Sequence, residues 1–341
     1  MSLKQFFLLF IIFFTIQNSQ AEETDQFTLP PFELLDLGPT VSLSLYDVLE
    51  EVLSQTNKEI QAIEPRAKHS RFAAKELALR LQGNYLVELF YRKTGPGFPR
   101  WLRGQWSHLL KQTMPFNYIE VKPWKTIYWL SLSPFPFHIL MLAPTINLYG
   151  HYFGTDKLGH FFMIGHNYYK IYRKNRINGR SVAQAQAAMV SFGCLTEHSF
   201  LGTLSNGVYS NADLAANFAG WKFYRNLTHS IKIANQSLPP ILLLQGHQWT
   251  FAKTINKNNL LKPFLLDHLN EALNPSHYTF SRSQIRREIN SRCADWISRK
   301  GLKPEIVEAK LKETLLWQGE DYGHWLPTHS AITLNTCFGG Y

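Results

Sequence analysis

Two strings decide how this chain is read: Gly154-Thr155-Asp156-Lys157-Leu158-Gly159-His160-Phe161 and Ser210-Asn211-Ala212-Asp213-Leu214-Ala215-Ala216-Asn217-Phe218-Ala219-Gly220. Each opens with residues that cap a helix, Thr155 in one and Ser210 or Asn211 in the other. Each then places an Asp and a second polar residue four positions apart, Asp156/His160 and Asp213/Asn217, on one helical face. Between them runs Val182 to His198, with Ala183, Ala185, Ala187 and Ala188 and with Glu197 near its end. The pattern predicts three helices, Thr155 to about Arg173, Val182 to about His198 and Ala212 to about Asn226, whose small residues permit close approach. The fold class that follows is mostly α. It is a helical bundle around three Ala- and Gly-containing helices, with irregular Pro-rich and aromatic segments beside it.

Working outward, residues 22–43 are Pro-rich (Pro30, Pro31, Pro39) and read as an extended arm. Ser44 to Ile60 carries Leu45, Val48, Leu49, Val52 and Leu53 on one helical stripe. Pro65 is expected to open a second helix, Lys68 to Arg92, which stops at Thr94-Gly95-Pro96-Gly97. A shorter helix fits Trp101 to Gln112. Residues 126–149 are strongly apolar, but Pro134, Pro136, His138 and Pro144 break the continuous helix that lipid requires. No transmembrane span is expected after signal removal; the segment reads as buried pieces or as a lipid-facing loop. Beyond Pro239-Pro240, helical patterns recur at Leu260–Leu273, Ser283–Lys300 and Pro304–Trp317. The regions are thus 1–21, 22–150, 151–238 and 239–341.

Residues 1–21 have the build of a secretory signal: Lys4, an apolar run from Phe6 to Ile16, and Ser19-Gln20-Ala21 before Glu22. The expectation is an exported protein of the periplasm or cell envelope, possessing no N-terminal Cys for lipid attachment. With 45% apolar and 18% charged residues the chain can bury a core, and a mean hydropathy of −0.19 excludes a bundle of many membrane spans. The three cysteines, Cys194, Cys293 and Cys337, exclude a disulfide-dense scaffold. If one bridge forms it is Cys293–Cys337, because Cys194 lies in an Ala-rich helical stretch. The net charge of +10 falls to +9 without Lys4, with basic clusters at Lys170–Arg180 and Arg282–Arg292. Anionic lipid or an acidic envelope polymer is the partner class this suggests. Nucleic acid is not expected, since no zinc-finger, RNP-type or helix-turn-helix pattern occurs.

The candidate site residues are Asp156, His160, Glu197, Asp213 and Asn217. A carboxylate and an imidazole at i and i+4 can share a metal or pass a proton. Glu197, an acid at a helix C-terminus, opposes the helix dipole, so its pKa should be raised. Asn217, a poor helix former inside a helix, needs a bonding partner. Gly159 leaves its face open to a close neighbour. His151 could approach the first motif, whereas His166 turns away from it. No HExxH, GxSxG or Walker loop is present.

A DK-x-x-HF string, then a Glu, then D-x-x-x-N-x-x-G resembles the VanZ-like family and the related YfiM-type periplasmic proteins. Here the matching pieces are Asp156–Phe161, Glu197 and Asp213–Gly220, within residues 151–225. The resemblance implies a bacterial envelope protein whose helices converge on polar residues. VanZ-like proteins are membrane-embedded, whereas these helices carry Lys170, Arg173 and Lys174; YfiM-type proteins are often lipid-anchored. Two functions follow as expectations. One is a hydrolase acting on a lipid, phospho-ester or glycan, with Asp156, His160, Glu197 and Asp213 as an acid–base centre or as ligands of one divalent metal ion, and Asn217 orienting it. The alternative is a non-catalytic envelope interaction protein in which these residues form a buried polar network.

Overall fold

A computed structural model describes residues 24–95, 117–118, 126–127, 143–199, 202–203, 207–325 and 331–339. The signal segment, the Trp101–Gln112 helix and most of the apolar stretch 126–149 lie outside the described residues.

The structure is mostly α, with several small antiparallel sheets added. The first helix, α1 (Gly38–Ala67), starts earlier than expected because Pro39 sits in its first turn, where a missing N–H costs nothing. Pro65 lies inside the last turn of α1 instead of opening the next helix. The expected Lys68–Arg92 helix is two, α2 (Arg71–Arg80) and α3 (Gly83–Thr94), and Ser70 caps α2 through a bond from Ala73 N. One face of α1 buries Leu45, Leu49, Val52 and Ile60 in the main core.

A short sheet follows, β1 (Asn117–Tyr118), β2 (Thr145–Leu148) and β3 (His151–Gly154), with Leu148 opposite His151 across a tight turn. This hairpin delivers the chain into α4 (Asp156–Gly159), a π-helical turn (His160–Ile164) and α5 (Gly165–Ile177). Next come α6 (Val182–Glu197), β4 (Val208–Ser210) and α7 (Asn211–Asn226). Ser181 closes a capping box with Gln184 at the start of α6, so that boundary is set locally. Helix α7 is buried almost all round and forms the axis of the main core, through Leu214, Phe218, Trp221 and Tyr224 among others.

Two hairpins, β5–β6 (Ile231–Ile233 and Gln236–Leu238) and β7–β8 (Leu242–Gln245 and Gln248–Phe251), replace what the sequence left unassigned. The expected Leu260–Leu273 helix is absent. Three 3-10 turns, Lys257–Asn259, Lys262–Phe264 and Asp267–Leu269, stand there, since Pro263 interrupts the run and Asn270 side-chain bonds turn the backbone. Strand β9 (Ser276–Tyr278) pairs with β4 and with β10 (Ala331–Ile332), placing β4 beside chain from the C-terminal region. Helices α8 (Arg282–Lys300) and α9 (Pro304–Thr314) form a second core with Phe27, Val208 and Leu334. A Cys293–Cys337 disulfide ties α8 to the C-terminal 3-10 turn, and Cys194 is free. Among the described residues, no helix is long and apolar enough to cross a membrane.

Candidate functional site

The site begins with a local irregularity. Five residues, His160–Ile164, form a π turn in an otherwise continuous helix, with Gly165 N bonded to His160 O. Such bulges rotate the side chains on either side and leave carbonyls without their usual partners. Tyr224 of α7 supplies one, its hydroxyl donating to Phe162 O at 2.9 Å. The crossing is very close. A Cβ on Gly220 would stand 2.0 Å from Phe161 O, and one on Gly165 would stand 2.7 Å from Gly220 Cα. The open glycine is therefore not where the approach occurs: a Cβ on Gly159 would meet nothing within 4 Å.

This crossing sets the start of α4 against the start of α7. Ser210 caps α7 by accepting from Asp213 N at 3.1 Å, which fixes Asp213 in the first turn. Lys157 lies between the two, wholly buried, with its ammonium 2.5 Å from Asp156 Oδ2, 2.6 Å from Asp213 Oδ1 and 2.5 Å from Glu271 Oε1. Glu271, in the loop before β9, also receives the Ser210 hydroxyl at 3.4 Å, and its own N–H donates to the Gln26 side chain. Thr24 donates to Asp156 Oδ1 at 2.9 Å, and Gly154 is needed beneath, since a Cβ there would lie 2.1 Å from that oxygen.

His160 does not pair with Asp156. Its Nδ1 lies 3.1 Å from Asn217 Oδ1 and its Nε2 lies 3.3 Å from Asp213 Oδ2. The expected i, i+4 partnership becomes a cross-helix one: His160 N–H keeps its α-helical bond to Asp156 O, but the imidazole is taken by Asp213 and Asn217 of α7 while the Asp156 carboxylate is taken by Lys157 and Thr24. The Asn217 amide also lies against the Tyr168 hydroxyl, whose pKa burial pushes up. Asn217 is thus the bonded amide its helical position called for. The His160 side chain keeps 13% of its exposure, while those of Asp156 and Asp213 keep 3% and those of Lys157 and Glu271 none.

Glu197 closes the cluster. Its Oε1 accepts from Ser210 N at 2.9 Å. Its pKa is raised well above the usual carboxylate range, first by burial and next by the Asp213 charge. The direction is as expected; the main cause is desolvation, not the helix end. Glu271 is raised too, by burial, against the pull of Lys157. His198 is an exposed flank, its ring near Tyr209 and Trp325. His151 goes elsewhere, to Asp267 at 2.6 Å, and that carboxylate is held down at about 2 by His151 and Lys310 in spite of partial burial.

The structure therefore brings together Asp156, His160, Glu197, Asp213 and Asn217, and adds Lys157, Glu271 and Ser210. Lys157 was visible in the first string as an apparently ordinary cation. Nothing in the sequence marked Glu271, which is brought to the site by the pairing of β9 with β4 and by bonds of its own segment to Tyr152 and Gln26.

As a cation site, the fitting set differs from the expected Asp156, His160, Glu197 and Asp213. Asp156, Asp213 and Glu271 each offer an oxygen within 4.8 Å of the others, and His160 and Glu197 fall outside that set. Three carboxylates suit a hard divalent ion such as Mg²⁺, Mn²⁺ or Ca²⁺. Lys157 Nζ reaches all three, so ammonium and metal compete for one position. The chain matches no family model, no curated protein and no solved structure.

Proposed function

We propose that this chain is an exported bacterial envelope hydrolase, acting on a lipid, phospho-ester or glycan through the buried Asp156/His160/Glu197/Asp213 cluster. The observation that carries this reading is a charge imbalance in a nearly sealed site. Four carboxylates, Asp156, Glu197, Asp213 and Glu271, face Lys157 and His160. Burying that surplus of negative charge is costly unless protons or cations enter. Burial raises the pKa values of Glu197 and Glu271, which favours their protonated forms over those of free carboxylates. A buried glutamate with a raised pKa, joined through Asp213 to an imidazole that still reaches solvent, is suited to general acid–base work. In this reading Glu197 supplies the proton. His160, held by Asn217 and Asp213, exchanges it with the substrate side. Asp156 and Lys157 fix the field around them. A divalent ion, if it displaces the Lys157 ammonium, would be held by Asp156, Asp213 and Glu271 and would polarise a substrate oxygen.

Export is supported by the signal-like residues 1–21 and by the Cys293–Cys337 bridge, which fits an oxidising compartment. The likeness of Asp156–Phe161, Glu197 and Asp213–Gly220 to VanZ-like and YfiM-type proteins supports an envelope setting.

One observation favours the second reading, a non-catalytic interaction protein with a structural network. Lys157 already satisfies three carboxylates, and both imidazole nitrogens of His160 are engaged within the protein. The two are separated by screening the pure protein against lipid-ester, phosphodiester and glycan substrates with and without Mg²⁺ or Mn²⁺, beside His160→Ala and Glu197→Gln. Turnover lost in both variants with melting nearly unchanged supports the hydrolase. No turnover by the natural chain, with His160→Ala costing about 1–3 kcal/mol of stability, overturns it in favour of the network.

A further inference from the structure

The end of the α5–α6 hairpin farthest from the carboxylate cluster has a different character. From Lys157 to Glu197 the chain contains no Asp or Glu between those two residues, while Lys170, Arg173, Lys174, Arg176 and Arg180 fall within it. Lys170 and Arg173 act on Glu88, which also bonds His166, so part of their charge is spent inside the protein. Lys174, Arg176 and Arg180 are exposed, and among the described residues none forms an ion pair. Arg176 donates to Arg180 O at 2.5 Å, which folds the turn back on itself and groups these cations at the tip.

Large apolar side chains stand in the same place. Ile177 is 68% exposed and Val182 is 46% exposed, one on each side of the turn. Helix α6 continues outward with Ala183, Ala187, Ser191 and Leu195, all exposed and none charged, and Leu195 is 68% exposed. Its inward stripe is Ala185, Met189 and Gly193. An outward helix face about 20 Å long without a charge is unusual for water, where that face is normally the polar one. Apolar side chains ringed by unpaired cations are the composition that inserts at a negatively charged lipid interface.

We propose that the α5–α6 hairpin docks on an anionic lipid bilayer, with Ile177 and Val182 entering the headgroup–acyl boundary and Lys174, Arg176 and Arg180 meeting lipid phosphates. The uncharged outer stripe of α6 then lies along the interface. This rests on the hairpin surface and stands or falls apart from the hydrolase reading. It does give that reading a direction, since the α6 stripe ends two residues before Glu197.

The test is co-sedimentation of the purified, full-length mature chain with vesicles of phosphatidylcholine alone and with a third of phosphatidylglycerol, at low and at raised salt. The expected result is binding to the anionic vesicles only, weakened by salt. Lys174→Gln/Arg176→Gln/Arg180→Gln should weaken it on the order of 100-fold, from about one fivefold step per charge. Ile177→Ser/Val182→Ser should weaken it while leaving the salt dependence. All five positions are exposed, and circular dichroism checks that the fold is retained. Equal binding to both vesicle types, no binding to the anionic ones, or unchanged binding by the triple variant overturns the proposal. So does capture by a soluble polyanion such as polyphosphate when anionic vesicles are not bound, which would make the surface a polymer site.

Discussion

Replacing Lys157 with Met tests the centre of the site most directly. The side chain is wholly buried, and its ammonium lies 2.5–2.6 Å from carboxylates of Asp156, Asp213 and Glu271. Met keeps the unbranched shape, so packing is largely conserved and the change is chiefly the charge. Removing one partner of a buried ion pair costs about 3–5 kcal/mol, because the other is left uncompensated. Here one ammonium serves three acids, so Lys157→Met should fall at the upper end of that range at pH 7.5. The loss should shrink as pH falls. Lys157 at present lowers the pKa of Glu271, against the burial that raises it, and also lowers that of Glu197. Without Lys157 both rise further. An acid whose folded-state pKa is raised contributes stability that is fully present below its unfolded value and lost as pH rises through the folded value. The deficit should therefore be largest at pH 7.5 and much smaller at pH 5. Millimolar Mg²⁺ should also stabilise the variant more than the natural chain, because the competing ammonium is gone. Urea unfolding at both pH values, with and without Mg²⁺, measures all of this. A deficit below about 1 kcal/mol, or one that is the same at pH 7.5 and pH 5, would refute the view that Lys157 neutralises the cluster.

Glu197→Gln imitates the protonated acid; it should stay within about 1 kcal/mol of the natural stability near neutral pH and flatten the loss of stability that the natural chain shows as pH rises above the ordinary carboxylate range, where one proton contributes at most about 1.4 kcal/mol per pH unit. Denaturant midpoints across pH 5–8 check this, and a steeper slope in the variant contradicts a raised Glu197. Gly220→Ala puts a methyl group 2.0 Å from Phe161 O, so the π turn must shift; a destabilisation of about 1–3 kcal/mol is expected, together with altered His160 resonances in an imidazole-selective NMR spectrum. Reducing the Cys293–Cys337 bridge, which closes a 44-residue separation, should cost about 4 kcal/mol, read as a lower urea midpoint with dithiothreitol than without.

The helical reading of residues 155–226 was legible because its signals are local. Ser181 with Gln184 and Ser210 with Asp213 cap helices through contacts three residues apart, and these are written in consecutive residues. The five polar residues singled out in the sequence also meet, since small residues on α7 admit the neighbouring helix. The errors fall where context overrides local pattern. Pro65 was tolerated within a helix end, the 260–273 run broke at Pro263 and Asn270, and the short hairpins carried too few residues for a period-two signal.

By itself, then, the sequence determined where the central helices lie and which polar groups they carry, because capping and periodicity act over one or two turns, although Thr155 makes no side-chain cap and the first of these helices runs past Arg173 to Ile177. Only the tertiary structure decided who pairs with whom. The His160 imidazole went to Asp213 and Asn217 and the Asp156 carboxylate to Lys157 and Thr24, a choice of partners that residue spacing does not announce. Strand pairing between β4 and β9 brought Glu271 to Lys157 across 114 positions of chain. Burial then raised the pKa values of Glu197 and Glu271, for desolvation is a property of the surrounding fold and not of the residue.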